Sequence, residues 1–355
     1  MADIVIGVEG SVRRLCKGAA KRWQTLGKDG LRFWVENTRL LQGRNVFKNV
    51  MVYRLQSPWT MAQADLEDAL QAGRFAECEA SQEKSVGWVE PRGHAHGPLV
   101  EVVGGQWIMK LQIEVKSVPS SVVKRKVQDE VDRIEAQTGR KPGKKERRDL
   151  TDDARQALLP MAFSKMGSTW VWLSPQDNLL VLDCGSTARA DEVMTALIKA
   201  AGGLSVALIN TQTSPVAAMA HWLREREAPQ HFSVDRECEL KAADESKSVV
   251  RYTRHALDTD EVVQHVVQGK LPTRLALTWN ERVSFVLTEG LQLKKLAILD
   301  VVLEENSGVA GDRKDDNFDA DIAIATGEIQ PLIDDLLEAL GGEVPLGQAA
   351  ATVKD

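Results

Sequence analysis

IEVKSVPSSVVKRKVQDEVDRIEAQTGRKPGKKERRDLTDDARQALLPMAF, residues 113–163, is the stretch on which the fold turns. Val123, Val127, Val131 and Ile134 recur at spacings that line one side of a helix. Ser120 or Ser121 stands where a helix needs a cap, and Pro142-Gly143 breaks the pattern. A second helical run from about Lys144 to Met161 then returns, so the stretch predicts an arm of two antiparallel helices joined by a tight turn. The turn, Arg140-Lys141-Pro142-Gly143-Lys144-Lys145-Glu146-Arg147-Arg148, holds six positive charges and one negative, in a chain of net charge −6. A basic projection on an acidic protein predicts contact with a polyanion. Along the first helix Lys124, Arg125, Lys126 and Arg133 alternate with Asp129, Glu130, Asp132 and Glu135, a solvated and self-paired face. The turn lacks that balance.

On either side of the arm, strand and helix signals alternate irregularly. Residues 46–55 and 107–119 read as strands, and 61–72 as an amphipathic helix capped by Thr60. After the arm come strands at 169–173 and 179–183, a helix over 188–201, a strand at 204–209 and a helix over 216–226. The last third reads as hairpins: 238–241 with 248–252, then 274–279 turning at Asn280-Glu281 into 283–288, then 293–302. Residues 308–317 read as a loop running into a strand, Asp-Ile-Ala-Ile-Ala-Thr at 321–326, before a closing helix over 328–340. Hairpin-linked strands imply antiparallel pairing, so the fold class is α+β: mixed, largely antiparallel sheets, packed helices and a projecting helical hairpin.

The chain has 355 residues and is 43% hydrophobic, ample for one large core or several subdomains. No run approaches the roughly 20 apolar residues that span a bilayer, and the start lacks a basic segment followed by an apolar one, so the expected location is cytoplasmic, with no membrane partner. Cys16, Cys78, Cys184 and Cys238 are scattered without metal or disulfide spacing and read as reduced thiols. A pI near 5.7 excludes a histone-like coat, so any nucleic-acid contact is local.

Residues 1–44 differ from the rest, with nine Lys and Arg against four Asp and Glu, leaving 36 against 47 elsewhere. They read as an N-terminal extension, either a basic arm or translated sequence ahead of a start at Val46, the second being preferred. Residues 45–343 form the main body and 344–355 a flexible tail.

The search for catalytic groups yields little. His94 and His96 sit in a Gly- and Pro-rich stretch without a carboxylate or cysteine partner and read as a solvated loop. Asp183-Cys184-Gly185-Ser186 lacks the nucleophile elbow and reads as a strand end followed by a helix cap. Gly139 to Lys145 misses the phosphate-loop spacing. Asp315, Asp316, Asp319 and Asp321 do not follow the calcium-loop register. No catalytic residue, metal or cofactor is assigned. A second basic group, Arg251-Tyr252-Thr253-Arg254-His255, reads as a strand with Tyr252 and Arg254 on one face, as suited to an ordinary sheet surface as to a phosphate contact.

Several segments in order resemble the RdgC family of bacterial recombination-associated proteins. They are Phe47-Lys48-Asn49-Val50-Met51-Val52-Tyr53-Arg54-Leu55, Gly87-Trp88-Val89-Glu90-Pro91, Leu158-Leu159-Pro160-Met161-Ala162-Phe163-Ser164-Lys165, and Phe318-Asp319-Ala320-Asp321 with Thr326-Gly327-Glu328. The resemblance runs from about residue 46 to 343. It implies a non-enzymatic protein that binds DNA with little sequence preference, as a ring-shaped homodimer around duplex DNA. It further implies restraint of the RecA recombinase and association with the nucleoid; binding of single strands is left open. By position, the resemblance carries DNA contact to Phe163, Lys165, Arg140, Arg254 and His255, and the arm's turn adds Lys141, Lys144, Lys145, Arg147 and Arg148. Met161 stands where the family pattern has a basic residue, which removes one phosphate contact. Phe163 itself is open to two roles, a group at the DNA surface or the core anchor of the arm's base. Two rival functions remain: an interaction module whose basic arm docks an acidic protein, and a metal-dependent nuclease using the 315–321 acids.

Overall fold

The computed structural model describes residues 46–305 and 314–344. The 1–44 extension, residues 308–313 of the expected loop and the tail from 345 lie outside the described residues. The first half of the order is β1 (Val50–Leu55), α1 (Gln63–Gln71), β2 (Lys84–Val89), β3 (Glu101–Val103), β4 (Gln106–Lys116), α2 (Ser120–Thr138), α3 (Lys144–Leu158), β5 (Ser164–Ser174), β6 (Leu179–Asp183) and α4 (Thr187–Ala200). Next come β7 (Val206–Leu208), α5 (Pro215–Glu225), β8 (Phe232–Ala242), β9 (Val249–Thr253), α6 (Asp260–Val267) and β10 (Lys270–Trp279). The chain closes with β11 (Val283–Thr288), β12 (Leu293–Ile298), α7 (Asp300–Glu305) and α8 (Lys314–Ala339).

All the described strands join one sheet in the order β2-β4-β5-β6-β1-β12-β11-β10-β8-β9, with β3 on β4 and β7 on β1, and every named pairing is antiparallel. The α+β expectation holds, with one continuous sheet where several were expected. β1 sits at its centre, and its apolar run Val50-Met51-Val52-Tyr53 is buried on both faces. Val50 and Val52 point into one hydrophobic cluster, whereas Met51, Tyr53 and Leu55 point into another. The second cluster is roofed by Leu66 and Leu70 of α1 and by Ala190, Val193 and Leu197 of α4. The first is larger: it takes Met219 and Trp222 from α5, Val262 from α6, and Ile322, Ile329, Leu332, Ile333 and Leu336 from α8.

The seam between the two halves is thin in backbone terms. β1 and β12 share the single register pair Val50↔Leu293, extended by Leu296 N–H donating to the Lys48 carbonyl at 2.9 Å. Side chains make up the difference, since the first cluster runs unbroken from Phe47, Trp172 and Val181 to Leu275, Phe285 and Leu293. At about 1.5–3 kcal/mol for each large apolar side chain removed from water, this shared core outweighs the few hydrogen bonds of the seam. Arg282, in the β10–β11 turn, holds α8 through Glu328 at 2.7 Å and α7 through Glu305 at 2.9 Å.

Several sequence expectations are corrected here. Residues 314–317 are helical and 321–326 belong to α8, not to a strand: Ile322, Ala325 and Ile329 are buried at helical spacing. Thr60 caps nothing, because α1 starts at Gln63 behind Ala62. Neither Ser120 nor Ser121 caps α2, whose N-cap is Pro119. The strand expected through residue 302 stops at Ile298 and α7 follows. Val344, assigned to the tail, is buried and donates to the Asn210 carbonyl at 2.8 Å. The Ser186 cap is present, its hydroxyl accepting from the Arg189 N–H.

Candidate nucleic-acid interface

The arm grows from the end of the β4–β5 hairpin. These strands pair continuously from Trp107↔Leu173 out to Lys116↔Ser164, and the chain leaves and rejoins them there. Inside the arm, Val123, Val131, Pro142, Ala154 and Leu159 are buried, while Val127, Ile134 and Leu150 are half-buried. None of these belongs to the two main clusters, so the arm carries its own small core. α2 ends in Gly139, whose φ of +69° lets its N–H return to the Glu135 carbonyl at 2.8 Å. A side chain would strain that left-handed turn, which explains the glycine between two charged helices.

α3 begins directly after Gly143, which puts Lys144, Lys145, Arg147 and Arg148 on its first turns. The positive end of a helix dipole disfavours cations by about 0.3–1 kcal/mol each. Only Glu146 has the favoured sign. Its carboxyl is held below the usual range, chiefly by Arg140, whose guanidinium donates to it at 2.9 Å. Lys141 lies 3.7 Å from Glu135. Lys144, Lys145, Arg147 and Arg148 are exposed and carry no ion pair among the described residues. The tip is therefore four uncompensated cations over a helix N-terminus, a field that an anion would relieve.

At the foot of the arm a short 3₁₀ turn, Leu159–Met161, divides the apolar run. Leu159 is buried and anchors the turn, whereas Met161 is 71% and Phe163 93% exposed. The core-anchor role left open for Phe163 thus falls to Leu159. Lys165 follows on β5, also exposed. Phe163 and Lys165 stand at the foot, Lys144 to Arg148 at the tip.

The second basic group is arranged differently from its expectation. β9 ends at Thr253; Tyr252 faces the core, its hydroxyl donating to Glu261 at 2.8 Å. Arg254 leaves the strand with φ +58°, so it shares no strand face with Tyr252. Arg251 is neutralised by Glu239 at 2.5 Å. Arg254 and His255 are exposed, the His255 ring lying 5.3 Å from that of Tyr252 and its Nδ1 2.6 Å from the Ala256 carbonyl oxygen. Seven strand steps separate β5 from β9 in the sheet order. At about 4.8 Å a step, the path along the sheet from β5 to β9 is about 34 Å.

Other candidates resolve into structural roles. Asp183 accepts the N–H groups of Lys48 and Asn49, both at 2.8 Å, and burial pushes its carboxyl up. Burial likewise raises Cys184 to about 11 and Cys238 to about 12, which keeps both as thiols. His96 turns at φ +63° and gives its N–H to Glu90. Among the described residues no three His, Cys, Asp or Glu side chains group as a metal would require, and no helix is long and apolar enough to cross a membrane.

A mixed α+β protein whose described residues form a twelve-stranded antiparallel sheet with an inserted basic arm matches a family model described as "Putative exonuclease, RdgC" over residues 46–343. The chain belongs to the RdgC family. It is 43% identical over 301 residues to the "Recombination-associated protein RdgC" of Dechloromonas aromatica, covering 84% of this chain and 98% of that one. The proteins of the same description from Herminiimonas arsenicoxydans and Bordetella pertussis are 42% and 40% identical, with the same coverage. The descriptions differ on chemistry: the family model's speaks of an exonuclease, the relatives' only of recombination, and none of these comparisons shows an enzymatic activity.

Proposed function

We propose that this recombination-associated protein binds duplex DNA without reading its sequence, as a ring-shaped homodimer that encircles the duplex. By occupying DNA it modulates RecA-dependent recombination and replication-fork repair, working in the nucleoid and catalysing no reaction. The observation that carries the reading is Phe163, an almost fully exposed aromatic at the foot of an arm whose tip bears four cations unpaired among the described residues. Exposing a phenyl ring forgoes about 2 kcal/mol of burial, which a surface tolerates where the ring serves a partner. Lys and Arg on a helix end suit phosphates, which position a protein without specifying sequence.

Fluorescence anisotropy on a labelled duplex over a range of salt tests the reading. With about six phosphates neutralised, log affinity should fall against log salt with a slope near −5, and a slope near zero would refute it. Phe163→Ala should weaken duplex binding about tenfold, the loss of roughly 1.5 kcal/mol of apolar contact, and leave the melting temperature in place because the ring is exposed. Met161→Arg works in the opposite direction. It restores a cation beside Phe163 and should steepen the salt slope by about 0.9; an unaltered slope would remove Met161 from the interface.

A further inference from the structure

The strand register fixes which side of the arm's foot belongs with Phe163. β4 and β5 pair out to Lys116↔Ser164, and the ladder runs one row further, the Ser117 N–H donating to the Phe163 carbonyl at 3.4 Å. Side chains alternate along a strand, so Phe163, Lys165 and Gly167 share one face. β2 continues that face: Lys84 stands opposite Val115, and Val115 opposite Lys165, so the three make one row across β2, β4 and β5. The next row is Val86, Ile113 and Gly167. Further from the arm the same face becomes the second core cluster through Leu111 and Val171, beneath α4. Towards the arm it is open, with Lys84 and Lys165 exposed and Val86 and Val115 39% and 40% exposed.

The first turn of α4 borders this open area. Arg189 reaches over the hairpin: a Cβ added at Gly167 would lie 3.3 Å from its Nη2, so the glycine leaves the guanidinium room against the strand. Arg189 Nη1 makes no hydrogen bond among the described residues and lies 3.6 Å from Glu192, one helical turn along. Lys84 pairs with the same carboxylate, and Lys165 with none among the described residues. A single carboxylate shared by two bases neutralises the charge of one. Lys84, Arg189 and Lys165 against Glu192 therefore leave two positive charges uncompensated beside the exposed ring of Phe163.

We propose that Lys84 and Arg189 extend the contact of Phe163 and Lys165 along this face by binding phosphates of duplex DNA, with Glu192 holding both side chains over the strands. The occupant follows from charge: surplus cations on an open strand face, continuous with an exposed aromatic, suit a phosphate backbone. The inference rests on the DNA-binding reading and names the path the duplex takes from Phe163. In anisotropy titrations on a labelled duplex, Lys84→Gln combined with Arg189→Gln should lose about thirtyfold in affinity at about 0.15 M salt and flatten the salt slope by about 1.8, the share of two phosphates. Glu192→Gln keeps the shape of the side chain and removes the acid that competes with phosphate, so it should bind more tightly than the parent. A merely structural ion pair would give no such gain. Lys199 is exposed and about 15 Å further along α4 than Arg189, beyond the screening length of about 8 Å, so Lys199→Gln should leave affinity unaltered. Wild-type affinity that does not vary with salt would overturn the DNA-binding reading itself. Salt-dependent wild-type binding that the double variant leaves unaltered, or that Lys199→Gln weakens by the roughly fivefold of one lost phosphate, would overturn this inference alone.

Discussion

Replacing Lys144, Lys145, Arg147 and Arg148 together by glutamate should lower duplex affinity by two to three orders of magnitude near physiological salt. All four lie on the first turns of α3, exposed and without ion pairs among the described residues. Removing four phosphate contacts should flatten the salt slope by about 3.6, and the new repulsion adds to the loss. Stability should move the other way. Acids at a helix N-terminus gain about 0.3–1 kcal/mol each where cations lose as much, so the variant should melt no lower than the parent. Weak binding with an intact or raised melting point separates a contact surface from a structural one. Unaltered affinity would remove the tip from the interface.

Trp172→Ala should cost about 3–5 kcal/mol, a large share of the 5–15 kcal/mol typical of a folded domain. Trp172 is fully buried where the two halves of the sheet share their core, 5.8 Å from the Phe47 ring. Its indole N–H donates to the Gln106 side chain at 2.7 Å, so truncation opens a cavity and leaves that acceptor without its partner. Urea denaturation followed by circular dichroism measures the loss. A change below about 1 kcal/mol would show that the seam does not depend on this residue.

The arm was legible in the sequence because Pro142-Gly143 and the valine spacing act locally. Strong local signals also marked β6, α4 with its Ser186 cap, and the turn at Asn280-Glu281. α8 was split in error: the four-residue apolar run Ile322–Ala325 fits strand or helix equally, and Gly327 after it looks like a break. Pro331 is tolerated inside the helix, where Ile329, Leu332 and Ile333 pack into the main core. α6 escaped notice because its short run follows a charged turn. The exposure of Phe163 was not legible, since Leu158-Leu159-Pro160 before it suggests a core; only the fold shows that Leu159 alone turns inward. The place of β9 seven strands from β5 follows from the sheet order, which no local pattern reveals.

Encirclement is tested most directly by comparing covalently closed circular duplex with the same duplex linearised. Protein is loaded on each, challenged with excess competitor DNA, and the fraction retained is followed over time. A ring around the duplex should persist on the closed circle and escape quickly from the free ends of the linear form. Equal loss from both would contradict encirclement and leave a protein that binds DNA from one side.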